Sequence, residues 1–157
     1  MTGRLDNVIY PAVEEKLKKY IQTGKVIVQG DISNVYDMVK NLDIMITTSL
    51  WEGLPGIIIE AVSSGVPVIA SGIAPNKEVA AKLSGVRIID GWNVAEWKDV
   101  LTTIINELQH TDKKETIRGI QQAFIESPFF YEHTDKQLLD VYGVHNITVT
   151  NPSLVVA

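Results

Sequence analysis

Four short apolar runs, at 26–29, 44–48, 67–71 and 86–89, are each followed by residues at helical spacing. That alternation constrains the fold more than any other feature of the chain. Strands separated by helices pair in parallel through crossover connections, giving a sheet with helices on its faces. The runs are nearly continuous in apolar character, as strands covered on both faces are. The expected fold class is α/β: a Rossmann-like parallel sheet with crossover helices, followed by a helical carboxyl-terminal region from Val94.

The helices are legible in the same way. Pro11 suits a first helical position, and Val13, Leu17, Tyr20 and Ile21 then share one face. Ser33 is placed as the cap of a second helix with Val35, Met38, Val39 and Leu42 inward. A helix over 55–64 should stop at Gly65, and a short one is expected over 76–83. Trp97, Val100, Leu101, Ile104, Ile105 and Leu108 form one stripe, with further helices over 112–126 and 134–142. Residues 1–142 read as one domain and 143–157 as a tail that is either a strand or disordered.

Composition excludes several classes. With 157 residues and 45% apolar content, the chain can build one domain with a core. A net charge of −5 argues against nucleic acid as the main partner. The absence of cysteine removes disulfides, thiolate catalysis and thiolate metal sites, and fits a cytoplasmic location. His110, His133 and His145 lack metal-ligand spacing and read as surface residues, so no metal is expected; no cofactor is expected either. No apolar run approaches the ~18 residues of a membrane span, and no apolar signal region opens the chain. Asn146-Ile147-Thr148 spells a glycosylation sequon that carries little weight without such a signal. No glycine-rich dinucleotide fingerprint or P-loop occurs.

Charge is distributed unevenly. From Gly53 to Asn76 only Glu60 is charged, where the chain's 21% share would place about five. Glu60 sits within Ile57-Ile58-Ile59-Glu60-Ala61-Val62, a helix apolar nearly all round and therefore expected to be buried. Glu52 stands in the turn-like run 49–56, after the strand 44–48. Open parallel sheets bind ligands at that edge. An ionised carboxylate leaves water at high cost unless something binds it, so two of them around a helix start suggest a site. The first amides of the helix attract an anion such as phosphate. Gly53 and Gly56 permit close backbone approach. Glu60 lies about 7 Å along the axis from Pro55. Carboxylates accept from hydroxyls and are poor neighbours for phosphate. A nucleotide-sugar fits that order: sugar near Glu52, diphosphate at the amides of 53–56, ribose at Glu60.

Each residue also has a structural reading. Glu60 would be a buried acid paired with Lys77 or Arg87, and Glu52 an exposed loop acid. Trp51 reads as a packing residue or cleft wall ahead of a sugar stacker. Ser49 either caps the turn or touches the ligand. Ser71 ends the next strand on the same edge, and Glu78 is expected to bind its own helix start.

Ser49, Glu52-Gly53-Leu54-Pro55, Glu60-Ala61, Gly65-Val66-Pro67-Val68-Ile69-Ala70-Ser71 and Glu78-Val79 occur in that order. Val26-Ile27-Val28-Gln29-Gly30-Asp31 and Leu42-Asp43-Ile44 precede them. Together they resemble the carboxyl-terminal half of group 1 (family 4) glycosyltransferases of the GT-B fold, over roughly residues 4–142. The resemblance implies two Rossmann-like domains facing a cleft, the carboxyl-terminal one holding the nucleotide-sugar donor. It assigns ribose binding to Glu60 and makes Glu52, at the donor sugar, the catalytic candidate. Gly53, Leu54, Pro55 and Gly56 would face sugar and phosphate, and Ser71 joins the donor-binding set. It implies retaining transfer without metal, in polysaccharide or glycolipid assembly. The acceptor would be a glycan or lipid-linked molecule, at the cytoplasmic membrane's periphery in some relatives.

Set against that pattern, the expectation is that this sequence lacks the acceptor-binding domain, the first two strands of the donor domain, and the Arg and Lys that serve the diphosphate. Gly3-Arg4 resembles the turn after the second of those strands. In the family order both lie between the run at 26–29 and the rest. The sheet must then re-pair, recruit a segment such as 146–150, or stay incomplete. The expectation is a truncated or split enzyme with little activity alone, its N-terminal domain supplied by a second chain. The alternatives are a non-catalytic donor-binding subunit or inactive fragment, and a sugar-nucleotide epimerase.

Overall fold

A strand needs a neighbour for its backbone donors and acceptors, and three of the four apolar runs pair with one another in a sheet. The computed structural model describes residues 10–30 and 32–143. Its elements are α1 (Tyr10–Gln22), α2 (Val35–Val39), β1 (Met45–Thr47), α3 (Gly56–Ser63), β2 (Val68–Ser71), α4 (Ala74–Ala80), β3 (Val86–Ile89), α5 (Val94–His110), α6 (Lys113–Ile125) and α7 (Tyr131–Val141). The sheet is parallel, in the order β1-β2-β3, with Met45 opposite Val68 and Val68 opposite Val86. Helices α3 and α4 make the crossovers, as the α/β, Rossmann-like reading requires.

The run at 26–29 is not a strand. It is irregular, and Ile27 is 65% exposed. β-branched composition is a context-dependent preference for a pleated surface, and here it does not produce a strand. The segment 146–150 lies outside the described residues.

The chain divides into two compact units, Met1–Met38 and Val39–Ala157. In the first, α1 half-buries Val13, Leu17 and Ile21 at the expected spacing. The residue that caps α2 is Asn34 rather than Ser33: its Oδ1 accepts from the Asp37 amide at 3.1 Å. Asn34 is the residue immediately before the helix, where a side-chain acceptor reaches the third helical amide.

The second unit is built around β2, whose four residues are all buried. Ile69, Ile89 and Ile104 form a core cluster, and Ile44, Trp97, Val100, Leu101 and Leu108 pack on it. The α5 stripe thus covers the sheet as expected except for Ile105, which is 39% exposed. Helix α3 packs against α4, α6 and β2, burying Ile58, Ala61 and Val62. It stops at Gly65 (φ +79°), whose amide donates to Val62 O at 2.9 Å while Val66 donates to Ala61 O at 2.9 Å. This is a Schellman closure. The side chain of Asp112 caps α6 by accepting from the Lys114 amide at 2.8 Å. Helix α7 buries none of its residues. No helix among the described residues is long and apolar enough to cross a membrane.

Candidate functional site at the carboxyl edge of the sheet

The polar ends of β1 and β2 organise the loop between β1 and α3. Ser71, the last residue of β2, is 1% exposed, and its Oγ donates to the Ser49 carbonyl at 2.6 Å. The Ser49 hydroxyl donates to Glu52 Oε1 at 2.6 Å and lies 3.2 Å from Thr47 Oγ1, at the end of β1. Asn76 on α4 is fully buried; its Nδ2 donates to Ser71 O at 2.9 Å and to Ser71 Oγ at 3.3 Å. Asn76 Oδ1 has no partner among the described residues. Glu52 is therefore half-buried and tethered through one oxygen, and Ser49 holds the turn.

The start of α3 follows directly. Pro55 is its buried N-cap, with φ −77° and ψ 71°, and Gly56 N donates to Leu54 O at 2.8 Å. Those angles make an inverse γ-turn, which aims the chain into the helix. No side chain caps this helix. The amides of Glu52, Gly53, Leu54 and Ile57 donate to no group among the described residues. A Cβ added at Gly53 or Gly56 would meet nothing within 4 Å, and neither residue has positive φ. The described residues thus give no steric reason for glycine at either position.

Glu60 is exposed, not buried. The helix is amphipathic in effect: Ile58, Ala61 and Val62 turn inward, while Glu60 faces water. The charge-poor sequence reflects packing against three neighbours, and the single acid marks the side left open. The reading of Glu60 as a buried acid paired with Lys77 or Arg87 fails. Lys77 pairs with Asp90 at 2.6 Å and Arg87 with Glu107 at 3.5 Å, and the Glu60 carboxylate has no partner among the described residues. Trp51 is 84% exposed, so it does not pack in this chain, and Leu50 and Leu54 beside it are 72% and 70% exposed. Glu78 pairs with Lys82 at 3.3 Å instead of its helix start. His110 and His133 are exposed, as expected.

Two cavities of about 350 and 360 Å³ open elsewhere, at the amino edge of the sheet. Pro67 lines both, with Leu42 and Ile44 in one and Gly85 and Ile120 in the other. They lie between the strand starts and α5–α6, away from Glu52 and Glu60; the first is mainly apolar, while Arg87, Glu107 and Thr111 also line the second.

With this geometry in place, comparison with known proteins decides the family. Residues 11–118 match the family model described as "Glycosyl transferases group 1". The chain is a group 1 glycosyltransferase family member. It is also 29% identical over 66 residues to "Putative glycosyltransferase EpsF" of Bacillus subtilis (strain 168). That match takes in 42% of this chain and spans 17% of the length of EpsF. The matched family region includes the whole edge network from Thr47 to Asn76.

Two members of the network escaped sequence reasoning in this glycosyltransferase family chain, Thr47 and Asn76. Asn76 had a signal. With Val79 and Leu83 it forms a buried i, i+3, i+7 stripe, and a polar residue at an inward position of a short helix marks a buried hydrogen bond. Thr47 had none, because a threonine ending a strand is ordinary.

Proposed function

We propose that the chain is the donor-binding part of a retaining glycosyltransferase that moves a sugar from a nucleotide-sugar in polysaccharide or glycolipid assembly. Residues 1–142 form the donor-binding domain. The donor lies across the start of α3. Glu52 receives the sugar's hydroxyls and is the catalytic candidate. Gly53, Leu54, Pro55 and Gly56 face the diphosphate, and Glu60 takes the ribose. Ser71 serves this surface from beneath, through Ser49. A second chain or domain brings the glycan or lipid-linked acceptor, and this chain alone has little transferase activity. The protein works in the cytoplasm, at the membrane periphery where its acceptor is lipid-linked.

One observation carries the reading: Glu52 is held by one oxygen beside a run of amides that donate to nothing among the described residues, at the edge where parallel sheets bind ligands. The exposure of Glu60 supports it, since a hydroxyl-binding acid must be reachable. Calorimetric titration with UDP-glucose, UDP-N-acetylglucosamine and GDP-mannose tests it. At least one should bind, and Glu60→Ala should weaken that binding by about tenfold or more, the worth of a charge-assisted hydrogen bond. Failure of all three, or full affinity in Glu60→Ala, would count against it.

A further inference from the structure

Hydrogen-bond direction at the carboxyl edge is fixed by chemistry alone. The Asn76 amide nitrogen sits 2.9 Å from Ser71 O, which only accepts, so the side-chain amide cannot be flipped. Its nitrogen therefore also donates to Ser71 Oγ, 3.3 Å away. The Ser71 hydroxyl proton must then point to the Ser49 carbonyl, another pure acceptor, at 2.6 Å. A second chain runs through the Ser49 side chain. Its proton goes to Glu52 Oε1 at 2.6 Å, so Thr47 Oγ1, 3.2 Å away, donates to Ser49 Oγ. Both chains meet at Ser49, one on its backbone and one on its hydroxyl. Each link polarises the next in the same sense.

We infer that Asn76, Ser71, Ser49 and Thr47 are positioning residues that hold the loop 49–53 and the Glu52 carboxylate in a single orientation, with Oε1 tied and Oε2 presented to the donor sugar. The anchor is firm because Asn76 and Ser71 are 0% and 1% exposed. Neither touches the donor; both act through Ser49. The inference deepens the donor-site reading and rests on it for the word donor, whereas the relay itself is a property of the free chain.

The test uses the full chain in solution. Backbone order parameters for residues 49–53 and the side-chain carboxyl carbon resonance of Glu52 are measured without ligand, then nucleotide-sugar affinity is titrated with the three donors named above. Ser49→Ala and Ser71→Ala should drop the loop order parameters from about 0.85 toward 0.6. They should move the Glu52 resonance and weaken donor binding by about tenfold, with α3 and sheet resonances unchanged. Ser49→Thr keeps the hydroxyl and should restore all three readouts. Asn76→Ala should act in the same direction. Should it unfold, the two serine variants still decide. Glu78→Gln, outside the network, should change nothing. An ordered loop and an unmoved Glu52 resonance in Ser49→Ala and Ser71→Ala would overturn the relay even if donors bind. Conversely, a loosened loop in a chain that binds no donor would uphold the relay and refute the donor site.

Discussion

The two ends of α3 each carry glycine, for opposite reasons. Gly65, at the carboxyl end, has φ +79°, and a Cβ there would lie 2.6 Å from Ile117 Cγ2 and 3.0 Å from Ile117 O. Gly53 and Gly56, at the amino end, have neither positive φ nor any atom within 4 Å of such a Cβ. The first glycine is required by the chain's own packing. The others are required by nothing among the described residues. A fold that keeps side chains off a surface without using the space presents that surface to something else, and the same end holds the tethered Glu52. The amino edge of the sheet is where α6 locks on, and the carboxyl edge is where polar groups are aimed outward.

The contrast predicts unequal effects. Gly65→Ala should be the most damaging. A left-handed backbone costs roughly 1–2 kcal/mol for alanine, and crowding against Ile117 adds about 1–3 kcal/mol. A loss of about 3 kcal/mol lowers the melting temperature by roughly 6–12 °C for a chain of this size. Thermal denaturation checks it, and a shift under about 2 °C would mean that α6 yields freely there.

Gly53→Ala should do the reverse. Stability should stay within about 0.5 kcal/mol, or rise by up to ~1 kcal/mol as the unfolded chain loses freedom. Nucleotide-sugar affinity should fall by about tenfold if the diphosphate packs on that backbone. The pairing of Gly65 and Gly53 sharpens the comparison: one variant should lose structure and the other ligand. Equal destabilisation in both would erase it.

Much of this architecture was legible because its causes are local. The runs at 67–71 and 86–89 became β2 and β3, and Gly65 stopped α3, since apolar continuity and glycine chemistry act within a few residues. The run at 26–29 looked the same and formed no strand. Strand formation depends on context beyond the run itself, which apolar character does not report. Glu60 was misjudged for a related reason. A stretch with one charge suggests burial on all sides, whereas three packed faces and one open face give the same composition. Glu52, its glycines, Ser49 and Ser71 stood out by position, but the hydroxyl of Thr47 and the amide of Asn76 did not, because they come from different elements, β1 and α4.

The smallest expected effect is at the far side of the same edge. Gly72 donates its amide to Ile89 O at 2.8 Å, and a Cβ on it would lie 2.0 Å from Asp90 Oδ1, so Asp90 sits directly over the glycine. Lys77 reaches Asp90 at 2.6 Å, with side chains 49% and 71% exposed. Water and salt screen a pair this open, and such pairs contribute about 0.2–1 kcal/mol. Lys77→Ala should therefore lower stability by no more than that, and by less in high salt, as urea denaturation at two ionic strengths would register. A larger loss, independent of salt, would mean that Asp90 is held out of water. The carboxyl edge would then be a packing surface like the amino edge, and the division of labour between the two ends of the sheet would not stand.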